Sequence, residues 1–400
     1  MKTNKHYRID RLNVALFSVF VTINVLFPGD IFNLKKIMFF IILLLNIRTL
    51  LLGMMKRENR FIVFFGFIFP ILLIIYSTLL TGSLWVSFTR SFAAFLFLAM
   101  IIIRESNMNI EKIVLNAVKL IAILTIGLVL LDMLHLININ APSWIREMMY
   151  GLDMGLMGKS PTYPLYYKVF FKTSPLVVFL LFRSFYKDNL IWVVMAIMTL
   201  IVSGTRANAF FTLFFIGLFY LFYGAKKYKK AKYLFIFMGI SLGIVFFSVF
   251  LNVIIGVVVD RGIVSDTVRA GHIRGLIELF NQKPWILIFG SGMGSFFYSY
   301  GANAMVSSIE WSLLDQWRQM GVGFFGLYLI FTLLPVFKKH IDPYKRFAYF
   351  TYLCIAATNP LLFSSTFYMV AYIMYQDVYA KKEGRPIDPK RGNLTSNLQT

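Results

Sequence analysis

The chain has 400 residues, of which 58% are hydrophobic and 14% charged, with a mean hydropathy of +0.72. A soluble domain of this length would carry roughly 25% charge, so the composition excludes a soluble enzyme and points to a polytopic helical membrane protein. The formal charge of +22 reads as loop charge that sets orientation in the bilayer, not as a nucleic-acid surface, and the single Cys354 excludes an intrachain disulfide.

Residues 1–11 carry charge but no cleavage-type pattern follows, so an uncleaved first helix is expected. The whole of 1–400 reads as one integral membrane domain, an all-α polytopic bundle with helical extracytoplasmic loops. Apolar runs predict about twelve spans, at 12–27, 37–52, 61–80, 88–103, 113–136, 165–182, 190–202, 207–223, 233–259, 319–337, 346–358 and 361–377. The short segments 190–202 and 346–358 widen the range to about ten to thirteen. With the N-terminus inside, 1–11, 53–60, 104–112, 183–189, 224–232, 338–346 and the tail 378–400 hold 25 of the 40 lysines and arginines. That asymmetry puts both termini in the cytoplasm and the long loops 137–162 and 260–318 outside. The outer side still holds 13 basic residues against eight acidic ones. A net positive outer mouth suits an anionic substrate.

Lys168 and Lys172, spaced i, i+4 at the mouth of the sixth span, extend that basic surface, as does Arg90. Ser203-Gly204-Thr205-Arg206 lies between two apolar runs and has the composition of a tight turn. Gly204 allows a left-handed conformation, the hydroxyls can cap the next helix, and Arg206 falls in its first turn. Arg206 is then either an arginine snorkelling to the interface or a guanidinium fork for phosphate or pyrophosphate. In the second loop, Ile273, Leu276, Ile277 and Phe280 recur at helical spacing with Arg269 on the same face, flanked by His272 and Arg274. This helix either packs on the bundle with Arg269 in a polar cavity or lies among the headgroups.

Behind it come Lys283-Pro284-Trp285 and Gly290-Ser291-Gly292-Met293-Gly294, which reads as a turn between two outer helices and not as a nucleotide fingerprint. Trp285 and Trp311 can stack on sugars or sit in the interface. Glu310 is a candidate base, or a carboxylate paired with an outer arginine. Asp315 and Arg318, three apart, can pair with each other. No metal-ligand spacing is present, and no cofactor is expected.

Taken in order, Ser203-Gly204-Thr205-Arg206-Ala207, the arginine helix with Trp285 and the glycine turn, and Glu310-Trp311 leading to Gly321–Gly326 resemble the O-antigen ligase and polymerase superfamily. The likeness is to its Wzy-type polysaccharide polymerases in particular and covers about 200–330. It implies a glycosyltransferase at the outer face of a bacterial cytoplasmic membrane. The enzyme would join oligosaccharide units carried on undecaprenyl pyrophosphate and release undecaprenyl pyrophosphate. By resemblance, Arg206 and Arg269 stabilise the leaving pyrophosphate without a metal, and Glu310 or His272 takes the acceptor's proton. Arg274, Lys168 and Lys172 hold the second pyrophosphate, and Arg90, Arg318, Trp285 and Trp311 complete the substrate surface. A separate co-polymerase would set chain length. Ligase-like members carry His-Asn where this chain has Glu310-Trp311, which favours polymerase over ligase. A lipid-linked oligosaccharide flippase is the rival from another class, and the internal repeat common in carriers is not visible here.

Overall fold

A computed structural model describes residues 2–29, 33–106, 108–141, 143–159, 167–224 and 267–380, with the backbone alone for 2–10, 206, 221 and 224. The described chain is mostly helix, with two short hairpins. Helix α1 (Lys2–Leu26) is followed by α2 (Leu34–Leu45) and α3 (Ile47–Met55). These last two meet at 74°, so the span expected at 37–52 is broken. The bend sits at Asn46, whose buried amide exchanges hydrogen bonds with Asn13 of α1, Nδ2 to Oδ1 at 3.0 and 2.8 Å. An amide buried in an apolar helix must find a partner, and here the partner lies on the neighbouring helix.

Next come three long helices, α4 (Arg57–Thr81), α5 (Leu84–Glu105) and α6 (Ile110–Met133). A π-helical turn over Phe64–Ile68 lies within α4. There Gly66 approaches α5 so closely that a Cβ would stand 2.8 Å from the Leu98 amide nitrogen. Among the described residues four helices are long and apolar enough to cross a membrane, the fourth being Ser312–Phe337, or five if α2 and α3 make one span. Several expected spans are shorter apolar helices: Arg11–Leu26, Ser174–Tyr186, Leu190–Val202 and Ala207–Phe219. The span expected at 233–259 lies outside the described residues. Outward faces are apolar, with Leu44 72% and Leu79 80% exposed, which suits lipid and not water.

The sixth expected span needs correction. Residues Tyr167–Phe171 form strand β2, antiparallel to β1 (Gly155–Lys159), with Gly158 opposite Lys168. Helix α8 begins only at Ser174. Tyr167, Val169 and Phe171 are buried and alternate with less buried neighbours, the period of a strand. A Cβ on Gly155 would overlap the Phe170 carbonyl, so the glycine admits the pairing. The loops expected outside are therefore not purely helical: the described part of 137–162 carries α7 (Trp144–Gly151) and β1.

Helices α9 (Leu190–Val202) and α10 (Arg206–Phe219) follow. The C-terminal part holds α13 (Ser312–Leu333), α14 (Pro343–Ala357) and α15 (Ser365–Ala380). Helix α15 is the axis of the bundle: Phe367 through Tyr375 are all essentially inaccessible. Two of its tyrosines donate to neighbouring carbonyls, Tyr375 to Phe331 at 2.6 Å and Tyr372 to Leu96, which is how a buried phenol avoids a desolvation penalty. Polar contacts collect at two ends. One end joins Lys56 to Glu105, Arg104 to Glu58, Arg183 to Glu111, and Lys345 to Glu111 and Asp377. The other joins Lys159 to Asp132, Lys172 to Asp153, and Arg90 to Ser307.

Candidate functional site

The loop 267–318 folds as a unit on this second end. It opens with helix α11 over 267–282, followed by the single turn α12 (Ile286–Phe289) and the hairpin β3 (Phe297–Ser299) with β4 (Ala304–Val306). Gly271 and Gly275, one turn apart, face the hairpin tip. A Cβ on either would stand 2.2 Å from the Gly301 nitrogen or the Tyr298 oxygen. This backbone approach sets the helix rotation. His272, Gly275 and Leu276 are turned inward, while Ile277 is 54% exposed. The buried face is thus rotated from the expected aliphatic stripe, and Leu276 packs with Phe297 and Ile309.

His272 points into that contact. It is buried, and its Nδ1 lies 2.6 Å from the Ser299 Oγ, which also accepts from the Ala302 amide. Arg269, on the open side, binds Glu310: Nε and Nη2 each reach Oε2 at 2.7 Å. Both are partly exposed, so the pair contributes little to stability. Arg274 lies over the Tyr300 ring at 4.6 Å. The Tyr300 hydroxyl donates to Glu278, and that hydrogen bond, with some desolvation, raises its pKa.

Arg318 departs most from expectation. It is fully buried, and its fork is committed to the protein. Nε and Nη2 bind Asp315 Oδ1 at 3.0 and 2.7 Å. Nη1 reaches Ser295 Oγ at 2.8 Å, and Nη2 reaches the Ser307 carbonyl at 3.0 Å. The expected pairing with Asp315 is present, but a substrate contact from Arg318 is not available. It is a clamp holding α13, the glycine turn and the end of β4 together.

The glycine turn connects α12 to the hairpin, not two helices. Gly290, Gly292 and Gly294 all have positive φ, as does Gly321, which breaks α13 at φ 67° and ψ 177°. A Cβ on Gly290 would stand 2.5 Å from the Gly321 nitrogen. Each N–H after Gly290 is used internally: Ser291 on the Arg318 carbonyl, Gly292 on the Gln319 carbonyl, Met293 on Ser77 Oγ, Gly294 on Gln319 Oε1. The turn is a joint and not an anion cradle.

Arg90 comes from α5 and donates to Ser307 Oγ at 2.8 Å. The segment 307–310 thus receives Arg90 at one end and Arg269 at the other, with Arg318 behind it. Trp285 and Trp311 are both partly exposed. Lys168 and Lys172 belong to another place. Lys168 is in strand β2 and Lys172 pairs with Asp153, so the i, i+4 helical relation expected of them does not exist.

At the Ser203–Arg206 turn, Gly204 has φ 64° as expected. Thr205 makes no side-chain cap hydrogen bond, so the hydroxyl capping is absent. Ser203 instead turns inward and accepts from Asn208 Nδ2 at 3.1 Å, which also reaches Ser174. Arg206 opens α10, and its side chain lies outside what is described. The Oδ1 of Asn208 and the hydroxyls of Thr205 and Thr212 are buried without a hydrogen-bond partner among the described residues. Asn208 was signalled only by being an amide inside an apolar run.

A second missed cluster is Asp132, which accepts from Tyr167 at 2.7 Å, the Ile139 amide at 2.8 Å and Lys159 at 3.2 Å. Contacts with Tyr167 first, and then with Asp132, raise the Lys159 pKa. Asp132 is the only acid in the fifth expected span, which was its sequence signal. In comparisons with known proteins, the chain matches no family model, no curated protein and no solved structure.

Proposed function

We propose that this protein is a membrane glycosyltransferase of the polysaccharide-polymerase type, acting on oligosaccharides carried on a polyprenyl pyrophosphate. The observation that carries this reading is the meeting of Arg90, Arg269 and Glu310 on the segment 307–310, where Ser308 and Glu310 are exposed and Ile309 is buried beneath them. The Arg269–Glu310 pair is an exchangeable one. An incoming pyrophosphate competes for the guanidinium and frees the carboxylate. The acceptor hydroxyl then attacks the anomeric carbon and its proton passes to Glu310. The bond from that carbon to the pyrophosphate oxygen breaks, and the electron pair leaves on the lipid pyrophosphate beside Arg269 and Arg90. Positioned cations act most strongly where charge develops. Arg206, at the start of α10, is assigned to the same leaving group.

The test is a reaction of the purified, reconstituted protein with its lipid-linked repeat unit, products being resolved as a ladder. Arg269→Ala and Arg206→Ala are each expected to slow elongation by about 10²–10³-fold. Ladders of normal length and rate from both variants would overturn the site. Transfer of the lipid-linked unit between leaflets of a liposome with no ladder would replace polymerase with flippase.

A further inference from the structure

At the opposite end of the bundle, a cavity of about 220 Å³ opens between α4, α13 and α15. Its walls are Phe61, Leu334, Tyr375, Val378 and Tyr379, and its rim carries Lys338 and His340. Phe61 and Tyr375 rings lie 5.6 Å apart, and the Arg104 guanidinium covers Tyr379 at 5.2 Å. The cavity is open on one side and walled mainly by apolar side chains. No carboxylate lines it among the described residues.

The charges around it are unbalanced. The neighbouring acids are already used: Glu58 holds Arg104, Glu105 holds Lys56, and Asp377 holds Lys345. Arg57 and Arg60, just before Phe61, and Lys338 and Lys339 make no ion pair among the described residues. His340 is oriented by Nε2 against the Asp377 carbonyl at 3.2 Å. A carbonyl only accepts, so Nε2 carries a proton and Nδ1 is the nitrogen left for another partner.

We propose that this cavity is a binding site for an anionic glycerophospholipid. The upper acyl chain would lie among the aromatic and aliphatic walls, and the phosphate would sit at Lys338, Lys339 and Arg60. An apolar slot opening on unpaired cations at a helix end fits this ligand better than a neutral lipid, because basic pockets between spanning helices attract acidic head groups. By the charge asymmetry of the loops, this end faces the cytoplasmic leaflet. The site is remote from Arg269 and Glu310, so it stands or falls independently of the proposed transfer reaction.

The experiment is native mass spectrometry of the protein taken from nanodiscs of equal phosphatidylglycerol and phosphatidylcholine. The intact protein is expected to retain phosphatidylglycerol preferentially. Lys338→Ala with Lys339→Ala should lower that preference by about fivefold per lysine, and Val378→Phe, which fills the slot, should lower occupancy with the lysines intact. Equal retention of the two lipids, or a preference unchanged in the lysine variant, would overturn the site. Displacement of the lipid by soluble glycerol 3-phosphate at comparable concentration would overturn the lipid in favour of a free phosphate anion.

Discussion

Two arginines of the same loop unit, Arg269 and Arg318, have opposite fates. Arg318 is fully buried and spends its donors on Asp315, Ser295 and Ser307. Arg269 is partly exposed and spends at least two on Glu310. Breaking a buried pair strands the other charge, at a loss of about 3–5 kcal/mol. Arg318→Ala should therefore lower thermal stability in detergent steeply, and Arg318→Met with Asp315→Leu should recover much of it. Glu310→Gln should behave differently. Losing an exposed pair changes stability by under about 1 kcal/mol, whereas losing the proposed general base should slow the proposed transfer about 10²–10⁴-fold. Unfolding curves and ladder kinetics on the same variant separate the two. A Glu310→Gln protein that elongates normally would remove Glu310 as the base.

Among the elements, close backbone approach through glycine outweighs side-chain pattern. The apolar stripe of α11 predicts one buried face, but Gly271 and Gly275 dock the helix on the 298–301 turn and rotate it. Gly275→Val would drive a side chain into the Tyr298 carbonyl. The expected outcome is about 1–3 kcal/mol of destabilisation, together with faster proteolysis within 267–310. Strand β2 was hidden for a different reason. Its alternation lasts five residues, from Tyr167 to Phe171, and merges with the apolar run of α8, so hydropathy fuses strand and helix into one span. The bend at Asn46 was equally invisible, because the side chain that pairs with Asn46 there, Asn13, lies 33 positions away.

Across the whole molecule, the end that carries the cavity is locked by a buried ionic cluster. Lys345 is 2% exposed and bridges Glu111 of α6 to Asp377 of α15 at 2.7 Å each. Arg183 and Tyr344 complete the shell around Glu111 at 3.3 and 2.7 Å. Lys345→Met should destabilise the bundle by about 3–5 kcal/mol, seen as a lower detergent melting temperature, because two carboxylates from different helices lose their shared cation. Alternating loop segments predict which pieces of chain lie at a common end, and the ion pairs join segments in that grouping: 53–60 with 104–112, and 104–112 with 183–189 and 338–346.

Sequence by itself determined the class of this protein, a helical membrane bundle, because hydropathy and charge balance are sums over residues and need no knowledge of neighbours. It also singled out Arg269 and Glu310 in the loop described over 267–318 and, well before that loop, the left-handed Gly204. Tertiary structure alone decided that Arg269 meets Glu310, that Arg90 joins them through Ser307, and that Arg318 is a clamp and not a substrate ligand. It also decided that Lys168 lies in a strand. Each of these depends on which distant segment supplies the partner atom, and partner and burial are properties of the assembled packing, which local composition and spacing do not encode.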